Sequence, residues 1–159
     1  MSAMAFIEIE ELPAGSADVL RRRARIAGLS VTEYLRVELL ARARVRVPDD
    51  AVVEFLRAQG RHCGCAWDAE AAGLVEIYDL PEEVVDRYGS RAVAAGLGLG
   101  QYIRRELIAL ARRTSVDDVM DEFADAARRD PSLRLDMGAI EASVRYARAE
   151  DVIGHGQLT

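Results

Sequence analysis

The chain contains two copies of one sequence pattern, separated by 68 positions. When residues 5–44 are aligned with residues 73–112 without a gap, 17 of the 40 pairs are identical. Low-complexity alanine does not account for this match, because a Leu-Pro pair, a glycine and a tyrosine (Tyr34 and Tyr102) also coincide. We infer an internal duplication, so both copies are expected to adopt the same fold.

Each copy opens with a short stretch that alternates apolar and polar residues. In the first copy Ile7 and Ile9 alternate with glutamates, and in the second copy Val75 and Ile77 alternate with Glu76 and a tyrosine. Alternation of this kind predicts a β-strand with two different faces. The Leu-Pro pair that follows ends the strand, because proline cannot donate a hydrogen bond to a ladder.

Two helices are predicted after each strand. Apolar residues recur at helical spacing in the first helix, and Gly28 or Gly96 ends it, because glycine adopts the left-handed conformation without steric cost. The second helix of the first copy begins at Ser30 with Glu33 three residues later, which is the pattern of a capping box. In the second copy Gly98 replaces the serine, so that helix has a weaker start.

A strand–helix–helix unit of about 40 residues cannot bury its own apolar faces, and a single strand has no ladder partner. Two copies in one chain remove both problems if their strands pair. The predicted fold class is mostly α with a short two-stranded antiparallel ribbon, formed as a pseudo-dimer within the chain and followed by a C-terminal helical arm. The predicted domains are the first copy at 5–45, a helical extension and linker at 46–72, the second copy at 73–113 and the arm at 114–159.

The segment after the second copy is predicted to form two amphipathic helices. Ser115 is the predicted N-cap of the first helix, and Pro131 separates it from a second helix that Asp136 caps. Acidic residues lie opposite the apolar face of the first helix. The apolar positions of the two helices are Val119, Met120, Phe123, Met137, Ile140 and Val144. Such faces need cover, either from the chain's own core or from a partner.

The composition argues against several classes of function. The net charge of −6 argues against a general binder of polyanions, because such proteins are usually basic. No run approaches the roughly 20 apolar residues of a membrane span, and the N-terminus lacks a secretory pattern, so a cytoplasmic location is expected. With two histidines and no nucleophile–base set, neither enzyme activity nor a cofactor is predicted. His62, Cys63 and Cys65 are too few and too irregularly spaced for a structural zinc site, so no metal is predicted.

The repeated pattern resembles the ribbon-helix-helix family, and within it the antitoxins of the VapB and FitA type. The resemblance rests on "EIEELP" and "RRRARIAGLSVTEYLRVELLARA" in the first copy and on "VEIYDLPEEVVDRYGSRAVAAGLGLGQYIRRELIALARR" in the second. It implies a tandem fused pair, whereas a typical member carries one copy. It also implies that the paired strands enter the DNA major groove with the outward side chains Phe6, Glu8, Glu10, Leu74, Glu76 and Tyr78.

Three of those six positions are carboxylates, which would face the negative potential of the DNA phosphates. A glutamate can accept a hydrogen bond from cytosine, but cationic contacts normally supply the affinity. The phosphate contacts that the resemblance implies are Ser30, Gly98 and Arg104, although arginines on these helices are more often part of a solvated face. We therefore predict weak or absent sequence-specific DNA binding. The contrary expectation, autoregulation at an operator, follows from the family.

The resemblance further implies that the arm binds a PIN-domain ribonuclease toxin, with an arginine reaching the toxin's acidic metal site. Arg145 and Arg148 are the matching residues here, and a guanidinium can bind a carboxylate cluster bidentately. The predicted function is therefore that of an antitoxin-like protein of a type II toxin–antitoxin system. Two alternatives stay open: a transcription regulator without a toxin partner, and a dimerisation module that has lost DNA binding. Further pairing of chains into a homodimer also stays open.

Overall fold

The computed structural model describes residues 12–62 and 69–154, and these residues form eight α-helices. In chain order the helices are α1 (Ala14–Ile26), α2 (Val31–Arg44), α3 (Pro48–Ala58), α4 (Ala69–Tyr78), α5 (Glu82–Ala95), α6 (Leu99–Arg112), α7 (Val116–Arg129) and α8 (Met137–Gly154). The chain divides into two compact units, unit 1 (Met1–Arg112) and unit 2 (Arg113–Thr159). None of the described helices combines the length and the apolar content that crossing a bilayer requires.

The predicted two-stranded ribbon is wrong. Residues 74–78, the second predicted strand, lie within α4, and no strand occurs in the parts of the chain that the structure describes. The first predicted strand, at residues 6–10, lies outside the described residues. Leu74 and Tyr78 are four residues apart and both are buried, so this segment follows the helical period. The helix-favouring sequence AEAA at the start of α4 leads into it, and a four-residue alternation is too short to oppose that preference.

The core of unit 1 is built from equivalent positions of the two copies. Helix α1 packs on α2 and α6, and α5 packs on α2, α3, α4 and α6. Eight buried residues of the first copy each have a buried counterpart 68 positions later. The pairs are Leu12 and Leu80, Ala17 and Val85, Leu20 and Tyr88, Ala24 and Ala92, Tyr34 and Tyr102, Leu35 and Ile103, Leu39 and Leu107, and Ala43 and Ala111. Each copy therefore supplies the same inner face, and the two faces meet in one apolar core.

Equivalent arginines connect each copy to the other. Arg23 on α1 donates from Nη1 to the carbonyl oxygen of Leu110, near the end of α6, at 2.9 Å. Arg91 on α5 donates from Nη1 to the carbonyl oxygen of Arg42, near the end of α2, at 3.3 Å. The two donor residues, Arg23 and Arg91, are 68 positions apart, and so are the two acceptor residues, Arg42 and Leu110. The last carbonyls of a helix have no partner within that helix, so each arginine satisfies one of them in the opposite copy.

Helix α3 is attached to α5 by a buried ion pair. The Arg91 side chain is 2% exposed, and its Nε and Nη2 donate to Oδ1 and Oδ2 of Asp50 at 2.7 and 2.9 Å. Burial alone would raise the pKa of Asp50. Hydrogen bonds from Arg91 and from the Val47 N–H outweigh that effect and hold the pKa of Asp50 below its ordinary value. The carboxylate thus stays ionised beside a guanidinium that has no other counter-ion at hydrogen-bond distance among the described residues.

Two of the predicted helix signals in unit 1 are confirmed. Ser30 Oγ accepts a hydrogen bond from the Glu33 N–H at 3.2 Å, and the Ser30 N–H donates to Glu33 Oε2 at 3.1 Å, which completes the capping box. Gly28 and Gly96 both have a φ of 69°, the left-handed conformation that ends a helix and that a side chain would strain. These local features fix where α2 begins and where α1 and α5 end.

Candidate partner-binding surface

Helix α7 begins at a defined point because Ser115 and Asp118 cap it. The Ser115 Oγ accepts a hydrogen bond from the Asp118 N–H at 3.0 Å, and the Ser115 N–H donates to Asp118 Oδ2 at 2.7 Å. The prediction of Ser115 as the N-cap is thus confirmed. A fixed start sets which residues share a face, and it aligns Val119, Met120 and Phe123 along one side of the helix.

Helix α8 packs against α7 within unit 2 and has eighteen residues, a length of about 27 Å. Asp136 Oδ1 accepts a hydrogen bond from the Ala139 N–H at 3.0 Å, so the predicted cap of this helix is confirmed. The predicted apolar positions Met137, Ile140 and Val144 follow at helical spacing.

The apolar side chains of unit 2 remain accessible. Among its described residues, no apolar side chain reaches the burial of the core positions of unit 1. Phe123 is 37% exposed and Tyr146 is 67% exposed. We call the six predicted apolar positions the arm face: Val119, Met120, Phe123, Met137, Ile140 and Val144. An apolar face that a helix pair leaves partly exposed is typical of a protein-interaction site.

Unit 2 also carries most of the net negative charge of the chain. From residue 113 to residue 159 there are ten carboxylate side chains and six arginines, a net charge of −4 against −6 for the whole sequence. Five of the carboxylates lie on the first three turns of α7, at Asp117, Asp118, Asp121, Glu122 and Asp125. An acidic surface beside an apolar stripe matches a partner whose binding surface is basic.

Two arginines lie on α8, three residues apart. Arg145 is paired with Glu141 on its own helix, with Nη2 of Arg145 2.7 Å from Oε1 of Glu141, and its side chain is 62% exposed. Arg148 makes no hydrogen bond or ion pair with any other described residue. Residues three apart on a helix share a face, so both guanidinium groups can reach one partner surface. An exposed ion pair like that of Arg145 exchanges partners at little cost.

The predicted DNA-reading positions are not brought together on an outward face among the described residues. Leu74 and Tyr78 are 3% and 4% exposed and belong to the core, where they pack in α4. Glu76 is exposed on the same helix. Phe6, Glu8 and Glu10 lie outside the described residues.

The predicted phosphate contacts already have intramolecular partners at two of three positions. The N–H and hydroxyl groups of Ser30 both donate to Glu33, and these hydrogen bonds hold the pKa of the Glu33 carboxyl below its ordinary value. The Gly98 N–H donates to the Gln101 side-chain oxygen at 3.3 Å. Arg104 is exposed on α6. A phosphate at Ser30 would therefore meet a carboxylate rather than a free helix terminus.

Sequence reasoning missed the polar groups that organise the first copy against the second. Arg91 is buried, and the Tyr102 hydroxyl donates to Asp49 Oδ2 at 2.9 Å while Arg105 Nη2 donates to the same oxygen at 3.1 Å. A signal for Arg91 existed, because Arg23 and Arg91 are identical at equivalent positions of the repeat. In the linker, His62 is exposed, whereas Cys63 and Cys65 lie outside the described residues.

The chain is similar to proteins of Mycobacterium tuberculosis that are named as candidate antitoxins. VapB1 of strain ATCC 25618 / H37Rv is 34% identical over 74 residues, which cover 46% of this chain and 94% of the relative. VapB12 of strains CDC 1551 / Oshkosh and ATCC 25618 / H37Rv is 30% identical over 59 residues, which cover 37% of this chain and 79% of the relative. No protein-family model and no solved structure matches the chain. Because these alignments span most of each relative, the chain belongs to the VapB family of antitoxins.

Proposed function

We propose that this chain is the antitoxin of a type II toxin–antitoxin system and that it binds and inhibits a PIN-domain ribonuclease through α7 and α8. The relatives carry the names of VapB antitoxins, and the toxin partner of a VapB antitoxin is in general a PIN-domain protein of the VapC type. The observation that carries the proposal is the arm face, whose six apolar side chains are all partly exposed. A partner that covered this face would remove it from water.

The arm face supplies the affinity in this proposal. Burying apolar surface contributes about 25 cal/mol per Å², and aromatic residues near the centre of an interface carry a large share of that energy. Phe123 is the aromatic residue of the arm face, with Met120 and Val119 beside it on α7. The carboxylates of α7 meet the basic surface that an RNA-binding enzyme presents to phosphates.

Inhibition comes from the arginines of α8. A PIN-domain ribonuclease holds its catalytic metal ions with carboxylates, and metal-bound water is what such sites activate for hydrolysis. A guanidinium that binds those carboxylates bidentately competes with the metal ion for the same oxygens. Arg148 is the stronger candidate because it has no partner among the described residues, and Arg145 would exchange Glu141 for the partner's carboxylate.

We also propose that the two copies, at 5–45 and 73–113, are two fused antitoxin cores. An alignment that spans 94% of VapB1 spans only 46% of this chain, so the relative is about half as long. Fusion replaces the association of two separate chains by an intramolecular contact with a fixed effective concentration. The equivalent arginine contacts, Arg23 to Leu110 and Arg91 to Arg42, support this interpretation.

Tight operator binding is not included in this proposal. The second predicted strand is helical, Glu33 occupies the donors of Ser30, and the chain has a net charge of −6. Each of these features weakens the contacts that would hold a DNA phosphate. These features support the proposal that sequence-specific DNA binding by this chain is weak or absent.

A test uses each PIN-domain ribonuclease of the host, purified separately and assayed with a fluorogenic RNA in the presence of Mg²⁺. We expect one of them to lose most of its activity when the chain is added in equal amount. The double variant Arg145→Ala, Arg148→Ala should restore cleavage while it still binds the enzyme, because the arm face is unchanged.

The matched control is the double variant Arg128→Ala, Arg129→Ala, which removes the same charge from the end of α7 and should inhibit like the unmodified chain. The proposal is wrong if no PIN-domain ribonuclease is inhibited. The role of the α8 arginines is wrong if both double variants inhibit equally.

A further inference from the structure

We propose that this chain binds one partner molecule, through the second copy alone, because the first copy has no arm. The inference rests on the proposed function, since it assigns the number and position of the partners. In effect, two antitoxin cores would share a single inhibitory arm. The argument depends on how each copy uses the segment that follows its second helix.

Helix α3, in the extension that follows the first copy, is the counterpart of α7, and it packs on α5 within unit 1. Asp50 corresponds to Asp118 and Phe55 to Phe123, each 68 positions apart. Asp50 is bound by the buried Arg91 at 2.7 and 2.9 Å, and Val53 is 6% exposed against the rest of unit 1. A second acidic contact, from Asp49 to Tyr102 and Arg105, attaches the start of α3 to α6.

The chain after α3 returns to the core instead of forming a second long helix. Ten residues, 59–68, separate α3 from α4. Helix α4 then packs on α2, α5 and α6 with Leu74 and Tyr78 buried. The eighteen-residue α8 and its two arginines therefore have no counterpart in the first copy.

Part of α3 still resembles the arm face. Val52 and Phe55 are 41% and 62% exposed, and Val52 lines a groove of about 410 Å³ together with Leu56 and Val93. This surface offers an aromatic anchor but no residues equivalent to Arg145 and Arg148. A ribonuclease held there would keep its metal site free, so binding at α3 would not serve inhibition. Only α7 and α8 would therefore be under evolutionary selection to inhibit the ribonuclease.

The equivalence of Phe55 and Phe123 provides a matched pair of variants. The full chain is mixed with an excess of the PIN-domain ribonuclease that it inhibits, and native mass spectrometry gives the ratio of ribonuclease to chain. We expect a ratio of one to one, whether or not chains pair with each other. Phe123→Asp should weaken binding at least about thirtyfold, and Phe55→Asp should change it by less than about twofold.

The variant Ile140→Asp repeats the test on α8, so that a folding defect in one helix does not decide the result. Far-ultraviolet circular dichroism of each variant checks that its helices are retained. A ratio of two ribonucleases per chain, or a loss of ribonuclease on Phe55→Asp, would overturn this inference and leave the proposed function intact. If no PIN-domain ribonuclease forms a complex, the proposed function fails, and this inference fails with it.

Discussion

Unit 1 and unit 2 are made of similar amphipathic helices, but they differ in what they do with their apolar faces. In unit 1 the equivalent apolar faces of the described helices of both copies pack together into one core, where Leu20, Leu39 and Leu107 are completely buried. The two helices of unit 2 leave every described apolar side chain partly accessible. A helix pair has too few neighbours to cover its own apolar stripes, so unit 2 needs further contacts where unit 1 is self-sufficient.

The largest expected difference between the units is in local stability. Backbone amides of the core helices α1, α5 and α6 should open only on global unfolding, whereas amides of α7 and α8 should open locally. We expect exchange in α7 and α8 to be faster by at least about three orders of magnitude, since a small domain has about 5–15 kcal/mol of stability and a helix pair has much less. Hydrogen exchange followed by mass spectrometry measures this directly.

Addition of the partner ribonuclease gives the control, because it should slow exchange in α7 and α8 and leave α1, α5 and α6 unchanged. Equal protection of the backbone amides of both units in the free chain would contradict the proposed difference in stability between unit 1 and unit 2. It would mean that unit 2 is stable without a partner and that the arm face is part of an ordinary fold.

The second expected effect concerns the equivalence of the two copies within unit 1. Leu39 and Leu107 occupy equivalent positions and are both 0% exposed. Leu39→Ala and Leu107→Ala should each lower the free energy of unfolding by about 3 kcal/mol, the usual result of leaving a cavity in a packed core. Met120→Ala on the arm face should cost less than about 1 kcal/mol, since its side chain is only half-buried.

Urea denaturation at neutral pH provides these three values. If Leu39→Ala and Leu107→Ala differed by more than about 2 kcal/mol, the two copies would not share the core equally. If Met120→Ala destabilised the chain as much as the leucine variants, the apolar side chains of α7 would belong to a core of their own.

Features that depend on a few neighbouring residues could be predicted from the sequence. Ser30 with Glu33, Gly96 and Asp136 mark helix ends through contacts within one turn, and all three predictions are confirmed. The apolar spacing of the arm also predicted the helices α7 and α8. In each case the physical cause is local, so the chain elsewhere cannot change the outcome.

Features that depend on distant parts of the chain were not predictable in this way. Residues 75–78 alternate like a strand, but Leu74 and Tyr78 also fit the helical period, and packing on α2, α5 and α6 favours the helix. The sequence did not single out Arg91, because an arginine gives no local sign of a distant partner such as Asp50. The partner of unit 2 remains a prediction, since its contacts lie in another molecule.

The smallest expected effect is a pH dependence of unit 1 that Asp50 causes. Its pKa is lowered in the folded chain from an ordinary value of 3.8, so the folded state favours the ionised carboxylate more than the unfolded state does. The stabilisation from Asp50 is therefore fully present above about pH 5, and it is lost as the pH falls through the folded-state pKa. Asp50→Asn cannot ionise, so the stability difference between the unmodified chain and this variant should shrink between pH 6 and pH 3.

Urea midpoints measured in steps of one pH unit give that difference, and Glu54→Gln is the control. Glu54 also contacts an arginine, Arg46 at 3.0 Å, but both side chains are exposed, so this pair should contribute less than about 1 kcal/mol at any pH. A stability difference for Asp50→Asn that is the same at pH 3 and pH 6 would show that the charge of Asp50 is not what holds α3 on α5. The buried ion pair would then be a consequence of the packing in unit 1, and the attachment of α3 would rest on the burial of Val53.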